Sequence, residues 1–144
     1  MRPQSLYSKD FHAWTVETIR LLKNRAFDQL DTEHLMEELE GMSAKERQEL
    51  RNRLAVLIMH LLKWQYQPEM RSKSWEKTIK TQRIDIGFLI DDSPSLKHYF
   101  EELLLKAYKK AVVMASNETG LSESYFPVNQ PYTPEQLLSE DYLP

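Results

Sequence analysis

The chain has 144 residues, of which 41% are hydrophobic and 28% charged, and its formal net charge at pH 7 is −3. This length is that of one ordinary domain with a buried core, so we expect a single domain over residues 1–144. Cysteine is absent from the sequence, which excludes disulfides, thiolate metal ligands and a cysteine nucleophile.

No segment of the sequence predicts export or membrane insertion. The first residues include charged side chains such as Arg2 and Asp10 in place of the apolar stretch of a signal peptide. The longest apolar run, residues 54–62, is interrupted by His60. It is shorter than the ~20 residues that a membrane-spanning helix needs. We therefore expect a cytoplasmic protein.

The first part of the chain favours helices, because only 3 glycines occur and 4 of the 7 prolines follow residue 120. Apolar residues at helical spacing predict a first helix that begins at Ser8 and ends near residue 25. A short second helix is predicted over residues 31–41. Its apolar side chains Leu35, Leu39 and Met42 are expected to face inward.

Three longer helices are predicted in the middle of the chain. Gly41 is expected to end the second helix, and the capping-box pattern of residues 43–46 to begin a third that runs to about residue 66. The second half of this third helix is apolar on nearly every side, which is typical of a central helix. A fourth helix is predicted over residues 74–92 and a fifth over residues 94–119.

Gly120 is predicted to end the fifth helix, and a tail begins at about residue 121. Residues 133–136 carry the capping signals of one more short helix. The tail is too apolar for a free linker, because aromatic residues alternate with prolines: Tyr125, Phe126, Pro127, Pro131, Tyr132 and Pro134. The predicted fold is therefore an all-α antiparallel bundle of about five helices with an extended C-terminal tail packed on it.

One block of residues is distinctive: the run from His60 to Pro68, followed by Arg71, Ser74, Trp75, Ile79, Gln82 and Arg83. Further matching positions are Tyr7, Asp10, Phe11, Trp14, residues 35–40, residues 93–96 and residues 131–133. In these positions the chain resembles the bacterial family of uncharacterised helical proteins catalogued as domain of unknown function twenty-nine. The resemblance implies a small helical protein without an assigned activity. Relatives often have a cysteine where this chain has Gln130, so a thiol-based role cannot operate here.

Charge is distributed unevenly along the chain. The net charge is −3 over residues 1–44, +6 over residues 45–83 and −6 over residues 84–144. The basic segment predicts a nucleic-acid site, in which lysines and arginines would neutralise phosphates and aromatic side chains would stack on bases. Alternatively, the basic segment pairs with the acidic segments inside the fold. The candidate anion-binding residues are Arg47, Arg51, Arg53, Lys73, Lys77 and Lys80.

A second group of candidates is expected near the hairpin of the predicted third and fourth helices. A histidine there could serve as a general acid or base, but no carboxylate or nucleophile stands at a spacing that would orient it. The alternative is structural, with side chains that cap carbonyls or make cation–π contacts. This candidate functional cluster consists of His60, Lys63, Trp64, Arg71, Trp75 and Arg83.

The four histidines do not predict a metal site. They fall on four different predicted helices, and no glutamate stands three residues before any of them, as carboxylate-bridged bundle sites require. We therefore predict neither a metal nor another cofactor, and no catalytic residue.

The leading functional hypothesis is a non-enzymatic adaptor that binds a protein partner or itself through residues 43–92. Its motive is a second apolar face on the predicted fourth helix, formed by the candidate interface residues Ile84 and Phe88. The alternatives are a nucleic-acid-binding protein that uses residues 45–83 and a small enzyme centred on His60. No membrane partner is expected.

Overall fold

The computed structural model describes the backbone of residues 3–144 and the side chains from Leu6 onward. Within this range the protein is 81% helical and contains no β-strand, which confirms the predicted all-α bundle. Its helices are α1 (Pro3–Lys9), α2 (Phe11–Lys23), α3 (Thr32–Tyr66), α4 (Lys73–Asp92), α5 (Phe100–Thr119) and α6 (Pro134–Leu138). Over the described residues, no helix combines the length and the apolar character needed to cross a membrane.

The chain divides into two compact units, Met1–Lys45 and Glu46–Pro144. The N-terminal unit contains α1, α2 and the beginning of α3, whereas the C-terminal unit contains the rest of α3 and the helices α4 to α6. The single domain expected over residues 1–144 stays a prediction.

Two helices occupy the region where one was expected at the start of the chain. Asp10 separates α1 from α2, and its Oδ1 accepts a hydrogen bond of 3.0 Å from the Ala13 amide. Ser8 lies inside α1, so its predicted role as the cap is wrong. A carboxylate is a strong acceptor for the unpaired amides at a helix N-terminus. The buried side chains of α2 are Trp14, Thr18 and Leu21.

The helix α3 runs without interruption through Gly41 and Ser43, where a break was predicted. A glycine ends a helix by adopting a positive φ, and Gly41 does not adopt one. Inside a helix it costs only about 1 kcal/mol relative to alanine. The expected inward face is also wrong in part, because Leu39 is 55% and Met42 63% exposed. Leu35 is partly buried.

The second half of α3 forms the centre of the C-terminal unit, as predicted. Its side chains without exposed surface are Leu50, Leu54, Ala55, Leu57, Ile58, Leu61 and Leu62. The same hydrophobic core includes side chains of α4 and α5, among them Ile79, Ile86, Ile90, Leu103, Leu104, Ala107 and Ala111.

The starts of α4 and α5 differ slightly from the prediction. The Ser72 hydroxyl, not that of Ser74, caps α4 by accepting a hydrogen bond of 3.3 Å from the Trp75 amide. The segment Pro94–Tyr99 forms a 3₁₀ helix, and α5 begins only at Phe100. Such 3₁₀ segments are common at the ends of α-helices.

The C-terminal tail packs on the core of its unit, as predicted. Gly120 ends α5 with a φ of 76°, and Thr133 begins α6 with a complete capping box. The Tyr132 hydroxyl donates a hydrogen bond of 2.9 Å to Oε1 of Gln65 on α3. The buried side chains of the tail are Phe126, Tyr132 and Leu137.

The two glycines at positions 41 and 120 provide a matched test of this architecture. We expect Gly41→Ala to raise the free energy of unfolding by about 0.5–1 kcal/mol, because an added Cβ meets no atom within 4 Å inside a continuous helix. Gly120→Ala should lower it by about 1–2 kcal/mol, because alanine is strained at positive φ. Urea unfolding followed by circular dichroism measures both values. Destabilisation by Gly41→Ala would contradict the continuous helix.

Candidate functional site

Arg83, the last residue of the predicted cluster, is 6% exposed and holds the C-terminal tail. Its guanidinium donates hydrogen bonds to the carbonyl oxygens of Leu137 at 2.9 Å, Gln136 at 3.0 Å and Tyr142 at 2.8 Å. Two of these carbonyls lie at the C-terminal end of α6, where unpaired oxygens carry partial negative charge. Burial lowers the pKa of Arg83, but a guanidinium stays protonated in proteins. Arg83 therefore fixes the tail to α4.

Lys63 joins three helices of the C-terminal unit. Its side chain is buried, and its Nζ lies 4.6 Å from the centroid of the Trp75 ring and 3.5 Å from Oε2 of Glu118. A cation over an indole ring is attracted by the negative face of the ring. Together these contacts tie α3 to α4 and α5.

Arg71 caps the C-terminal end of α3. Its Nε donates a hydrogen bond of 2.9 Å to the Trp64 carbonyl, and its guanidinium lies 4.9 Å from the centroid of the Trp64 ring. The last carbonyls of a helix lack a partner within the helix, so this contact satisfies one of them. The Arg71 guanidinium thus packs against the end of α3 through both the carbonyl and the ring of Trp64.

His60 is half-buried and bonded to its own helix. Because the Val56 carbonyl can only accept, Nδ1 of His60 donates the hydrogen bond of 2.9 Å between them. Burial lowers the pKa of His60, and the charge of Lys63 lowers it further, against the opposing effects of the Val56 carbonyl and Glu118. Among the described side chains, no carboxylate bonds to the ring, so the orienting group of an acid–base pair is missing.

The predicted cluster thus divides into separate contacts. The structure brings Lys63 to Trp75 and Arg71 to Trp64, whereas Arg83 contacts the tail. Each contact satisfies a backbone carbonyl or covers an aromatic ring, and none leaves a reactive group aimed into a cavity.

The candidate anion-binding residues also divide. Arg53 pairs with Asp85 at 3.0 Å and with Glu49 at 3.1 Å, and Arg47 lies 5.2 Å from the centroid of the Tyr99 ring. Arg51 is partly buried. The remaining three are exposed and make no ion pair within the part of the chain that the structure describes: Lys73, Lys77 and Lys80.

The outer side of α4 carries exposed apolar and charged side chains. Ile84 is 45% and Phe88 63% exposed, and helical spacing places Lys77, Lys80 and Asp91 on the same side. We call these five residues the α4 outer stripe. In contrast, three apolar side chains of α4 are buried in the core: Ile79, Ile86 and Ile90.

An aromatic and acidic cluster in the N-terminal unit was missed from the sequence. Asp31 is 4% exposed, and its Oδ2 accepts hydrogen bonds from Trp14 Nε1 at 3.3 Å and from His34 Nδ1 at 2.6 Å. The Tyr7 ring stacks on His34 with the centroids 3.9 Å apart. A hydrogen bond to Glu38 raises the pKa of Tyr7 to about 12. The only signal for this cluster was the spacing of Asp31 and His34.

Two further observations give little support to a catalytic or metal-binding site. An open groove of about 410 Å³ lies between α5 and the tail, lined by residues that include Tyr108, Val112, Phe126 and Val128. The Tyr108 hydroxyl donates to the Pro127 carbonyl, and burial raises the pKa of Tyr108 to about 12. From Pro3 to Pro144, no group of three or more histidine and carboxylate side chains could hold a metal ion.

Arg83→Met tests the attachment of the tail. We expect it to lower the free energy of unfolding by about 2–4 kcal/mol, because several carbonyls lose their donor in a buried site. Hydrogen exchange of the amides of residues 134–142 should accelerate. The matched control Lys73→Met, at the exposed start of α4, should change stability by less than about 0.5 kcal/mol. Unchanged exchange in Arg83→Met would contradict the anchoring role.

His60→Asn tests the environment of the histidine through pH. A lowered pKa in the folded state means that the unfolded chain binds the proton first as pH falls below about 6.5. The stability of the wild type should therefore be fully present above this pH and decrease below it, until the folded state also binds the proton. The variant should lack this component of the pH dependence. Urea titrations of both proteins between neutral and acidic pH measure the difference, and an opposite slope would contradict a desolvated His60.

Comparison with known proteins places the chain in a family. Neither the curated proteins nor the solved structures contain a match. The family model described as "Domain of unknown function DUF29" matches residues 6–143, which is nearly the whole chain. The match includes both units and confirms the family indicated by the resemblance. The chain belongs to the family of proteins with the domain of unknown function DUF29.

Proposed function

We propose that this protein is a cytoplasmic, non-enzymatic adaptor that binds a protein partner, either a different protein or a second copy of itself, through the α4 outer stripe. The observation that carries the proposal is the exposure of Ile84 and Phe88, at 45% and 63%. The two side chains are one helical turn apart and form a single apolar spot. Single exposed apolar residues are common on protein surfaces, but adjacent ones rimmed by charge are typical of docking sites.

The C-terminal tail does not cover the α4 outer stripe. Its buried side chains, Phe126, Tyr132 and Leu137, belong to the hydrophobic core of the C-terminal unit. Arg83, which holds the tail, is itself buried on α4, whereas Ile84 beside it is exposed. The tail thus covers one side of α4 and leaves the outer stripe open to a partner.

Nucleic-acid binding is the second candidate, and Lys73, Lys77 and Lys80 support it. The aromatic residues that were expected to stack on bases are engaged elsewhere. Trp64 is 9% exposed, and Trp75 lies under the Lys63 ammonium. Because unspecific single-strand binding relies on free aromatic faces as well as on cations, the geometry favours a protein partner.

The enzyme hypothesis centred on His60 has the weakest support. General acid–base catalysis requires a histidine that is oriented by a second group and open to a substrate. Nδ1 of His60 is bonded to the Val56 carbonyl. Glu118, whose charge raises the pKa of His60, is paired with Lys63.

Photocrosslinking tests the docking surface. A benzophenone amino acid replaces Phe88 in one variant and Leu105 in a control, since these side chains are 63% and 62% exposed. The variants are irradiated in the cells that produce them, and adducts are identified by peptide mass spectrometry. We expect a discrete protein adduct at position 88, absent at position 105 and reduced at least about tenfold by Ile84→Lys.

A parallel titration separates the nucleic-acid alternative. Fluorescence anisotropy of labelled single- and double-stranded DNA and RNA is measured at low and physiological salt. Absence of an adduct at position 88, together with salt-sensitive binding that Lys77→Glu/Lys80→Glu removes, would replace the adaptor proposal with a nucleic-acid site.

A further inference from the structure

The α4 outer stripe has an ordered distribution of charge along its length. Its N-terminal part carries Lys77 and Lys80, its middle carries Ile84 and Phe88, and its C-terminal end carries Asp91. Asp92 follows at the end of the helix and is also exposed. The lysines and aspartates of this stripe form no ion pair with another described side chain. The stripe therefore presents a positive end, an apolar centre and a negative end.

This distribution of charge is complementary to that of a second copy of α4 that runs in the opposite direction. If two copies of α4 are placed antiparallel with Ile84 against Ile84, helical spacing brings Lys77 of each copy opposite Asp91 of the other. A two-fold axis then relates the contacts, so that the contact of Lys77 with Asp91 occurs twice, as in an isologous dimer.

Gly87 leaves the backbone without a side chain at the edge of this side of α4. It lies one helical turn before Asp91 and directly before Phe88, in the interior of the helix. Glycine is a poor helix former, and the chain's own fold does not require it here. A Cβ added at Gly87 would meet no atom within 4 Å, and its φ is not positive. The absence of a side chain leaves room for the close approach of another backbone.

We infer that the partner of the α4 outer stripe is a second copy of this chain, bound antiparallel across a two-fold axis. This inference rests on the proposed function, since it identifies the partner of the same surface. A nucleic acid would match Lys77 and Lys80 but would be repelled by Asp91 and Asp92. A second copy satisfies both ends of the stripe and covers its apolar centre.

Sedimentation velocity over a range of micromolar concentrations tests whether the purified chain self-associates. We expect a reversible monomer–dimer equilibrium that is weakened by added salt, because exposed ion pairs are screened. Ile84→Lys should raise the dimer dissociation constant by about tenfold or more, since a charge would enter the apolar centre. Circular dichroism checks that the variant keeps its helical fold.

Charge reversal at the two ends of the stripe tests the antiparallel arrangement. The basic-end variant is Lys77→Glu/Lys80→Glu, and the acidic-end variant is Asp91→Lys/Asp92→Lys. Each alone should raise the dissociation constant by about tenfold or more, because like charges then meet at both edges. An equimolar mixture of the two variants should restore dimers, because every edge of the mixed dimer pairs opposite charges.

A control with the same change of net charge is Lys97→Glu/Lys109→Glu, whose two exposed lysines lie outside α4. It should dimerise as the wild type does. The mixture also keeps the test valid if one variant is less stable, since restoration requires folded partners. Failure of the mixture to dimerise while the wild type does so would overturn the antiparallel arrangement.

A wild type that stays monomeric at every concentration would overturn the second-copy inference. The crosslinking at position 88 then decides the fate of the proposed function. An adduct with a different protein would leave the adaptor proposal intact, whereas the absence of any adduct would remove both.

Discussion

The packing of the tail in the C-terminal unit depends on the contacts of Arg83 with the carbonyl oxygens of the tail. A guanidinium has five donors in a fixed plane, and here it serves carbonyls of Gln136, Leu137 and Tyr142 at once. The tail contains little regular structure, since its helix α6 has only 5 residues. Its backbone polar groups therefore need partners outside the tail. Arg83 provides these partners and allows Tyr132 and Leu137 to enter the core.

This role changes the meaning of the most distinctive residues in the sequence. A histidine, two tryptophans and several cations close together along the chain suggest a reactive centre. In the structure each cation has a packing partner: Lys63 has Trp75, Arg71 has Trp64, and Arg83 has the tail. Lys63 and Arg83 are buried, and buried cations with satisfied donors are expensive to build and stabilise one arrangement of the chain. Their contacts hold α3, α4 and the tail together.

Local signals predicted some helix ends correctly and others wrongly, and contacts between distant residues were not predicted from the sequence. Gly120 and the Thr133 capping box were correct because a helix end is set within a few residues. Gly41 was read as a helix end although its neighbours continue the helix. Leu39 and Met42 had the spacing of an inward face but are exposed. The hydrogen-bond partners of Arg83 lie more than 50 residues away along the sequence. The spacing of apolar residues contains no information about such a contact.

The structure shows where some of the basic residues of segment 45–83 lie and which of them form ion pairs. Part of the basic surplus is neutralised within the C-terminal unit, since Arg53 pairs with Asp85 and Lys63 with Glu118. Lys77 and Lys80 make no ion pair among the described side chains and lie on one side of α4, beside the exposed Ile84 and Phe88. Exposed ion pairs contribute little stability, so the charges at this position contribute little to the stability of the fold. A surface that combines an apolar centre with opposite charges at its ends selects a partner by orientation as well as by composition.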